Sequence, residues 1–312
     1  MARIVVTGGA GFIGSNLAHA LIQRGDSVRI VDNFSTGRRV NLAGLDGHVE
    51  LFEGDIRDAA LLDRACAGAD FVFHEAALPS VARSVEDPVL SHDINANGTL
   101  QVLEAARRAG VKRLVYAASS SAYGETLVQP KVETMASSPI SPYGAQKLMG
   151  ELYCGIWTQV YGLPCVALRY FNVFGPRQAP KSDYAAVIPR FITALQRGEP
   201  PTLFGDGDQT RDFCFIANVV EANLNALEAP AAPGHVYNVA CGERWSLLEL
   251  VAMLNGILGT HIAAHHAPGR AGDIRDSLAD ITAARRDLGY TAAVRFEEGL
   301  RRTVQWYADH PA

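Results

Sequence analysis

The sequence predicts an α/β fold in which a doubly wound parallel sheet carries helices on both faces, with a smaller C-terminal α/β lobe. Short runs rich in valine and isoleucine alternate with stretches whose apolar residues recur at helical spacing. After residue 175 this alternation loosens, and glycine and proline cluster at several places. With 312 residues, 48% of them hydrophobic, the chain is long enough for one large domain or two closely joined lobes.

The first half supplies the candidate strands and helices. Because strands and helical stretches alternate, the strands are expected to be parallel and to bind ligands at their carboxyl ends. The candidate strands cover residues 4–6, 28–31, 49–52, 71–73, 114–116 and 165–168, and the candidate helices cover 12–24, 89–109 and 142–161.

The domain division follows from the change of pattern. We expect a nucleotide-binding domain over residues 1–174 and a substrate-binding lobe over 175–312. The apolar run 236–239 has the character of a further buried strand. A segment of about 235–258 is therefore expected to rejoin the first sheet.

Composition and charge exclude several classes of function. A net charge of −5 gives no basic field for nucleic acid or an anionic membrane. The apolar run at the N-terminus is too short for a signal peptide, and no stretch reaches the roughly 18 apolar residues that span a bilayer. Five cysteines without a C-x-x-C pair indicate a reducing compartment and no metal site. A cytoplasmic protein that binds neither nucleic acid nor membrane is the expectation.

A glycine-rich turn follows the first strand and opens the first helix. The segment 7–14 reads Thr-Gly-Gly-Ala-Gly-Phe-Ile-Gly. Gly8 permits a tight turn, Gly11 lets the backbone approach a pyrophosphate, and Gly14 lets the helix pack closely on the sheet. The helix N-terminus adds N–H groups and partial positive charge for the phosphates. This arrangement predicts a dinucleotide site.

Charged residues near the second and third strands bear on how a dinucleotide is bound. Asp32 ends the second strand, where a carboxylate binds the adenosine ribose and repels a 2′-phosphate, so NAD is favoured over NADP. Arg38 and Arg39 are the nearby feature that would favour NADP instead. Asp55 has two open interpretations: it hydrogen-bonds the adenine amino group, or it caps the helix that starts near Asp58.

The chemical centre is predicted at Tyr143 and Lys147. Four residues apart on a helix, they share a face, so the ammonium can lie beside the phenol. A neighbouring cation lowers the pKa of a tyrosine and makes it a general base near neutrality. Such a pair taken alone would be an ordinary surface pair. Ser119, at the end of the fifth strand, supplies a hydroxyl at the same edge of the sheet.

In this order and spacing, the glycine turn, the strand-end serine and the Tyr-x-x-x-Lys pair resemble the extended short-chain dehydrogenase/reductase family, from Arg3 to about Tyr307. The resemblance implies an NAD-binding Rossmann domain with Tyr143 as base, Lys147 as its partner and ribose ligand, and Ser119 as a hydrogen-bond donor to the sugar. The cofactor residues it implies are Gly8, Gly11, Phe12, Ile13, Asp32, Asn33, Asp55, Ile56, Ala76, Ala77, Asn95, Tyr143, Lys147 and Tyr170.

The residues after Ser119 narrow the reaction. Nucleotide-sugar 4,6-dehydratases carry Asp and Glu at the next two positions, as the acid and base that expel water. This chain has Ser120 and Ser121 there. Neutral hydroxyls have the wrong pKa for that proton transfer, so a dehydratase is disfavoured.

Segments 169–175, 184–189, 205–213 and 269–273 are similar to those of nucleotide-sugar 4-epimerases. The similarity implies that Arg211 and Arg270 bind a diphosphate, that Asp273 binds the uridine ribose, and that residues 202–204 line the uracil pocket. In an acidic protein a diphosphate needs such fork-shaped guanidinium donors. The implied UDP-sugar residues are Ser120, Ser121, Asn172, Gln178, Val187, Thr202, Phe204, Arg211, Arg270, Asp273 and Ser277.

Ser277 bears on the size of the sugar. Family members restricted to small hexoses carry Tyr at this position, so the serine leaves room for an N-acetyl group. The chain therefore resembles UDP-N-acetylglucosamine 4-epimerases, with UDP-glucose also an expected substrate. A UDP-glucuronate 4-epimerase or decarboxylase and a non-catalytic NAD-binding redox sensor are the alternatives. Family members commonly dimerise through two helices, here 94–108 and 142–161, so a homodimer is expected.

Overall fold

The structure, a computed structural model, describes residues 1–180, 186–269 and 275–310. A parallel seven-stranded sheet forms its centre, and short two-stranded sheets lie in the second half of the chain. The strands are β1 (Arg3–Thr7), β2 (Ser27–Asp32), β3 (Val49–Glu53), β4 (Phe71–His74), β5 (Arg113–Ser119), β6 (Cys165–Tyr170), β7 (Val173–Phe174), β8 (Thr202–Phe204), β9 (Thr210–Arg211), β10 (Cys214–Phe215), β11 (Val236–Val239), β12 (Trp245–Ser246) and β13 (His265–Ala267).

The helices connect these strands. The expected helix at 89–109 consists of two α-helices joined by a π-helical stretch, Asp93–Asn97. The α-helices are α1 (Phe12–Arg24), α2 (Ala59–Cys66), α3 (Val81–Glu86), α4 (Pro88–His92), α5 (Gly98–Ala109), α6 (Pro142–Tyr161), α7 (Val187–Gln196), α8 (Ile216–Glu228), α9 (Leu247–Leu258), α10 (Thr282–Leu288) and α11 (Phe296–Asp309). Among the described residues, no helix combines the length and the apolarity needed to cross a membrane.

The large sheet has the order β11-β6-β5-β4-β1-β2-β3. From β1 the chain first runs through β2 and β3 and then returns to β4 on the other side of β1. The order therefore reverses between β1 and β4, and a crevice opens there at the carboxyl ends of the strands. This topology confirms the doubly wound parallel sheet.

The run 236–239 joins this sheet as β11, with Val236 paired to Ala167 of β6. The helix α8 also packs against the sheet, through contacts with β5 and β6. Both elements come after residue 174 in the chain and lie beside the first-half strands. The division into 1–174 and 175–312 stays a prediction.

Alternate residues of each strand pack into different layers. In β1, Ile4 and Val6 belong to the hydrophobic cluster on one face, and Val5 belongs to the cluster on the other. Close packing of α6 on β5 needs a glycine, because a Cβ on Gly150 would lie 2.3 Å from the Tyr116 ring. The first turn of α6, which carries the predicted base, is thereby held near the end of β5.

Candidate active site

The glycine turn between β1 and α1 has no room for a side chain at Gly8 or Gly14. Gly8 has φ +69°, and a Cβ there would lie 2.7 Å from the backbone of Ala76. A Cβ on Gly14 would lie 2.3 Å from the carbonyl oxygen of Gly8. Both positions require glycine on steric grounds. The turn therefore presents bare backbone at the N-terminus of α1, as a pyrophosphate requires.

Asp32 lies at the end of β2 beside this turn. Its carboxylate accepts hydrogen bonds from the backbone N–H of Ala10 at 2.9 Å and of Phe34 at 2.8 Å. Burial raises the pKa of Asp32, and the two backbone donors oppose that rise. Arg39 pairs with Glu53 at 2.6 Å. The geometry suits a ribose ligand held in a fixed orientation.

The two interpretations of Asp55 are separated by the helix that follows. Asp58, not Asp55, caps α2, because its side chain accepts the backbone N–H of Leu61 at 3.0 Å. Asp55 instead accepts hydrogen bonds from the side chains of Arg57 and Asn33. The hydrogen bond from Arg57 is the main reason why the pKa of Asp55 is lowered. Its carboxylate stays at the cavity wall, where a hydrogen bond to adenine is possible.

A cavity of about 830 Å³ extends from the glycine turn to α6. Its volume and its shape along the strand ends suit a dinucleotide. Tyr143 and Lys147 line one end, and Asp32 lines the other. Predicted residues on its wall are Gly8, Gly11, Phe12, Ile13, Asp32, Asn33, Asp55, Ile56, Ala76, Ala77, Tyr143, Lys147, Tyr170 and Gln178.

Asn95 does not line this cavity. Its side chain accepts the backbone N–H of Leu78 at 2.8 Å and donates to Gln146 at 2.8 Å. In the structure this side chain has a supporting position, and its direct contact with the cofactor stays a prediction. Asn95 ties the loop after β4 to α6.

Tyr143 and Lys147 are placed by the start of α6. Ser141 caps this helix by accepting the backbone N–H of Gly144 at 3.1 Å, and Pro142 occupies the first helical position. The Lys147 ammonium donates to the carbonyl oxygen of Ala117 at 2.8 Å and lies 6.0 Å from the centre of the Tyr143 ring. The expected pairing on one helix face is therefore present.

The pKa expected of Tyr143 needs correction. Burial raises the pKa of Tyr143 to about 12, and a hydrogen bond with the Ser119 side chain opposes that rise. Burial also lowers the pKa of Lys147 to about 8. The ammonium faces the Ala117 carbonyl, so it does not offset the desolvation of the phenol. A lowered tyrosine pKa would require additional positive charge in the cavity.

The three serines form the turn after β5. The Ser119 side chain accepts the backbone N–H of Ser121 at 3.2 Å, and their two hydroxyls lie 3.1 Å apart. The 3₁₀ helix Ser120–Tyr123 follows. This turn lies beside the two cavities. Its three serines are not among the described residues that line either cavity.

Glu75 is a cavity residue that the sequence reasoning did not identify. It follows β4 on the cavity wall and accepts a hydrogen bond from the Tyr170 hydroxyl at 2.9 Å. Burial raises the pKa of Glu75 to about 7, while Tyr170 and the Lys147 charge lower it. The sequence contains one signal for Glu75. It is an acidic residue directly after an apolar strand, at the edge of the sheet where a ligand is expected.

A second cavity of about 250 Å³ adjoins the first at Ala186. Arg211 of β9 lies on its wall, and Asn172 is held there in the left-handed region with φ +31°. The structure brings together the predicted substrate residues Asn172, Val187, Thr202, Phe204 and Arg211 on this wall. Arg270 and Asp273 lie outside the described residues, and so do residues 184 and 185 of segment 184–189.

Ser277 pairs with the strand that carries Arg211, and it is not among the described residues that line the two cavities. Its backbone N–H donates to the carbonyl oxygen of Thr210 at 3.2 Å, and Arg211 follows Thr210 in β9. The residue is 6% exposed. In the described ranges, no group of three or more His, Cys, Asp or Glu side chains is placed to hold a metal ion.

Comparison with known proteins agrees with this geometry. The model of the NAD dependent epimerase/dehydratase family matches residues 4–240. The UDP-glucose 4-epimerase of Mycolicibacterium smegmatis is 39% identical over 309 residues, which is 98% of each chain.

Two solved structures share the whole fold. One is a UDP-N-acetylglucosamine 4-epimerase from Methanobrevibacter ruminantium M1 in complex with UDP-N-acetylmuramic acid, with a TM-score of 0.93, 39% identity, and coverage of 99% of this chain and 98% of that one. The other is a UDP-glucuronic acid 4-epimerase from Bacillus cereus in complex with UDP-glucuronic acid and NAD, with a TM-score of 0.90, 32% identity, and coverage of 98% and 99%. The chain thus belongs to the NAD dependent epimerase/dehydratase family.

Proposed function

We propose that this chain is an NAD-dependent isomerase that inverts carbon 4 of a UDP-sugar. The proposed substrates are UDP-N-acetylglucosamine and UDP-N-acetylgalactosamine, with UDP-glucose and UDP-galactose also accepted. The observation that carries the proposal is the position of Tyr143 and Lys147. They stand at one end of the dinucleotide-sized cavity, which adjoins the cavity lined by Arg211.

The glycine turn and Asp32 fit NAD. A Cβ at Gly8 would lie only 2.7 Å from the backbone of Ala76, so this position of the turn requires glycine. Asp32 directs its carboxylate to the ribose position and opposes a 2′-phosphate. When bound, NAD supplies the acceptor and donor of a hydride at carbon 4 of the sugar.

Tyr143 is the proposed general base. Its phenol takes the proton of the 4-hydroxyl as carbon 4 is oxidised. It returns the proton to the same oxygen when carbon 4 is reduced after the 4-keto sugar has rotated. Lys147 binds a ribose hydroxyl and supplies positive charge near the phenol. Ser119 donates a hydrogen bond to the reacting oxygen. Burial raises the pKa of Tyr143 to about 12, so the phenol needs positive charge nearby to act as a base near neutral pH.

The second cavity holds the UDP end in this proposal. Arg211 and Arg270 bind the diphosphate, and Asp273 binds the uridine ribose. Thr202 and Phe204 contact the uracil, with Asn172 and Val187 near the diphosphate. The sugar swings about its diphosphate linkage between the two hydride transfers, so either face of carbon 4 meets the cofactor.

Residues near the reacting carbon weigh against the alternatives. A decarboxylase of this type carries Glu where this chain has Ser120, and a redox sensor without catalysis lacks the Tyr143 and Lys147 pair. A UDP-glucuronate 4-epimerase remains the second candidate, because Ser120 and Ser121 offer hydroxyls for a sugar carboxylate. The small Ser277 supports the N-acetylated sugars.

The proposed enzyme is a cytoplasmic homodimer. The five cysteines are free and buried, as in a reducing compartment. Helix α6, which was expected at the interface, exposes several large apolar side chains. The other helix expected there, 94–108, has none among the described exposed residues, whereas α4 just before it adds two, so α6 and α4 offer a surface for a second copy. The exposed apolar residues are Val89, Leu90, Leu152, Ile156, Val160 and Tyr161.

The test is a product assay with purified protein and separate UDP-sugars. UDP-N-acetylglucosamine, UDP-glucose and UDP-glucuronate are each incubated, and the 4-epimer is identified by chromatography. Denaturation of the same protein should release NAD or NADH in near-equimolar amount, because a reaction without net redox change needs a retained cofactor. Absence of any 4-epimer, or of dinucleotide after denaturation, would count against the proposal.

A further inference from the structure

Glu75 is an acidic residue on the wall of the large cavity, and the proposed proton transfer does not use it. It is partly exposed and lines the cavity. Its carboxylate accepts a hydrogen bond from the Tyr170 hydroxyl at 2.9 Å. The side-chain amide of Asn223 donates to the oxygen of that hydroxyl at 2.8 Å, so the hydroxyl proton can point to Glu75. Among the described residues no cation pairs with this carboxylate, so an ion pair does not cancel its charge.

The strand register places Glu75 at the end of the cavity that Lys147 lines. His74 of β4 pairs with Tyr116 of β5, so the residues that follow them, Glu75 and Ala117, are neighbours at the carboxyl ends of these strands. The carbonyl oxygen of Ala117 accepts the Lys147 ammonium at 2.8 Å. Glu75 and Lys147 are thus opposite charges at the same end of the cavity.

Glu75 is the one acidic residue that the described cavity wall has at this end. The other acidic residues on the wall are Asp32, which ends β2, and Asp55, which follows β3. In the sheet order both of these strands lie beyond β1, whereas β4 lies next to β5. Neighbouring strands are about 5 Å apart, so β4 and β2 are separated by roughly 10 Å. Asp32 and Asp55 therefore belong to the adenosine end, and Glu75 belongs to the end near Tyr143.

The nicotinamide of a bound dinucleotide belongs at the Tyr143 end of the cavity. Hydride transfer needs contact between the ring and carbon 4 of the sugar, and the phenol of Tyr143 is the proposed acceptor of the 4-hydroxyl proton, so all three share one end. The oxidised ring carries a positive charge, and the reduced ring is neutral. A carboxylate on the wall at this end stabilises the oxidised ring, whereas the Lys147 ammonium acts in the opposite sense.

We propose that the Glu75 carboxylate keeps the bound dinucleotide in its oxidised form, by favouring NAD⁺ over NADH in this site. The inference rests on the proposed 4-epimerase reaction with Tyr143 as the base. In that reaction the sugar enters as an alcohol, so only protein that holds NAD⁺ can begin a cycle. A site with Lys147 and without Glu75 would favour the neutral ring of NADH. Protein that retains NADH cannot oxidise the sugar, so the carboxylate keeps the resting enzyme competent.

The charge state of Glu75 sets the conditions of the test. Burial raises the pKa of Glu75 to about 7, and the hydrogen bond from Tyr170 and the charge of Lys147 oppose that rise. A positively charged ring in the cavity would lower this pKa further, because it favours the ionised form. At pH 8 the carboxylate is therefore mostly ionised.

The experiment measures how the purified protein divides its site between the two forms of the cofactor. Protein at pH 8 is incubated with an equimolar excess of NAD⁺ and NADH, starting once from NAD⁺-loaded and once from NADH-loaded protein, until both give the same bound ratio. Free nucleotide is then removed by gel filtration, the protein is denatured, and the released NAD⁺ and NADH are separated by chromatography. In Glu75→Gln we expect the bound ratio of NAD⁺ to NADH to fall about tenfold or more from the wild-type value.

Three further variants separate charge from structure. Glu75→Asp keeps the charge and should keep the bound ratio within about threefold of wild type. Asp55→Asn is the matched control, because it makes the same change from acid to amide on the same wall at the adenosine end. It acts equally on both forms of the cofactor, so the ratio should stay within about twofold of wild type. If Glu75→Gln does not fold, Glu75→Met replaces it in the same measurement.

Two outcomes overturn the inference. One is a bound ratio in Glu75→Gln within about twofold of wild type, which is also what a purely structural role predicts, because it weakens both forms alike. The other is an equal fall of the ratio in Glu75→Gln and Asp55→Asn. Failure of the proposed function is recognised separately, as absence of any 4-epimer from the UDP-sugars. Formation of the 4-epimer with an unchanged ratio in Glu75→Gln removes the inference about Glu75 alone.

Discussion

The carboxylate of Glu75 accepts a hydrogen bond from the hydroxyl of Tyr170 at 2.9 Å across the carboxyl end of the sheet. Glu75 follows β4 and Tyr170 ends β6, so the bond passes over the end of β5, which lies between them. The same hydroxyl lies 2.8 Å from the side-chain amide of Asn223 in α8. Glu75 is thereby fixed on the cavity wall, near the end lined by Lys147.

Replacing Glu75 by Gln should change how stability depends on pH. Burial raises the pKa of Glu75 from 4.5 to about 7, so the folded protein holds this proton more tightly than the unfolded chain. Wild-type stability from this group is therefore full below about pH 4.5 and is lost as the pH rises through about 7. Glu75→Gln cannot ionise at this position. Its free energy of unfolding relative to wild type should therefore rise by up to about 3 kcal/mol from pH 5 to pH 8.

Urea unfolding of cofactor-free protein at both pH values gives this difference. Exposed Glu125→Gln is the control, and its difference from wild type should stay constant within about 0.5 kcal/mol. If the Glu75 variant differs from wild type equally at the two pH values, the carboxylate does not titrate in this range.

Glu75 also shows where inference from the sequence ends. The strands, α6 and the Tyr143 and Lys147 pair follow from local periodicity and from a four-residue spacing, so the sequence predicts them directly. The partner of Glu75 lies 95 positions away, and only the strand order brings it near. The backbone of Lys131 is similar, because it pairs with Leu278 and Ala279, which are far away in the chain. Which residue caps α2 depends on where that helix begins, and a shift of three residues would exchange Asp58 for Asp55.

Tyr143→Phe should abolish most activity and leave the cofactor in place. The phenol is the proposed proton acceptor, and loss of a general base typically costs about 100- to 10,000-fold in kcat. Lys147→Met should lose activity to a similar degree and should also retain less NAD, because the ammonium is the proposed ribose ligand. The measurements are kcat with UDP-glucose and the dinucleotide released on denaturation.

Tyr153→Phe provides a matched control for Tyr143→Phe, since it makes the same change on the same helix; its ring packs edge-on against Trp157. It should keep kcat within about twofold of wild type. Activity of Tyr143→Phe within tenfold of wild type would remove the phenol from the role of base.

Asp32→Asn should shift the cofactor preference toward NADP. The amide keeps an oxygen that can accept one of the backbone hydrogen bonds from Ala10 and Phe34, so the turn should stay folded. It removes the negative charge that repels a 2′-phosphate and weakens the bond to the ribose. We expect about tenfold weaker NAD binding and a larger NADP to NAD affinity ratio, measured on cofactor-free protein by fluorescence.

Asp46→Asn, at an exposed position, is the comparison for Asp32→Asn and should leave both affinities unchanged. An Asp32→Asn protein with the wild-type ratio of NADP to NAD affinity would show that another group discriminates against the 2′-phosphate. Arg38, which lines the same cavity, would then be the next residue to replace.

Ser277→Tyr should restrict the enzyme to small sugars. Ser277 is held against β9 by the hydrogen bond to Thr210, so a larger side chain there cannot move away without breaking that pairing. The phenol would fill the space proposed for the N-acetyl group, and steric exclusion acts on that substrate alone. We expect kcat/KM for UDP-N-acetylglucosamine to fall by about 100-fold or more and that for UDP-glucose to change by less than about fivefold.

Ser277→Ala keeps the position small and should retain both substrates, which separates the effect of size from loss of the hydroxyl. Equal loss of UDP-glucose and UDP-N-acetylglucosamine in Ser277→Tyr would mean that residue 277 supports the fold of the site and does not select the sugar.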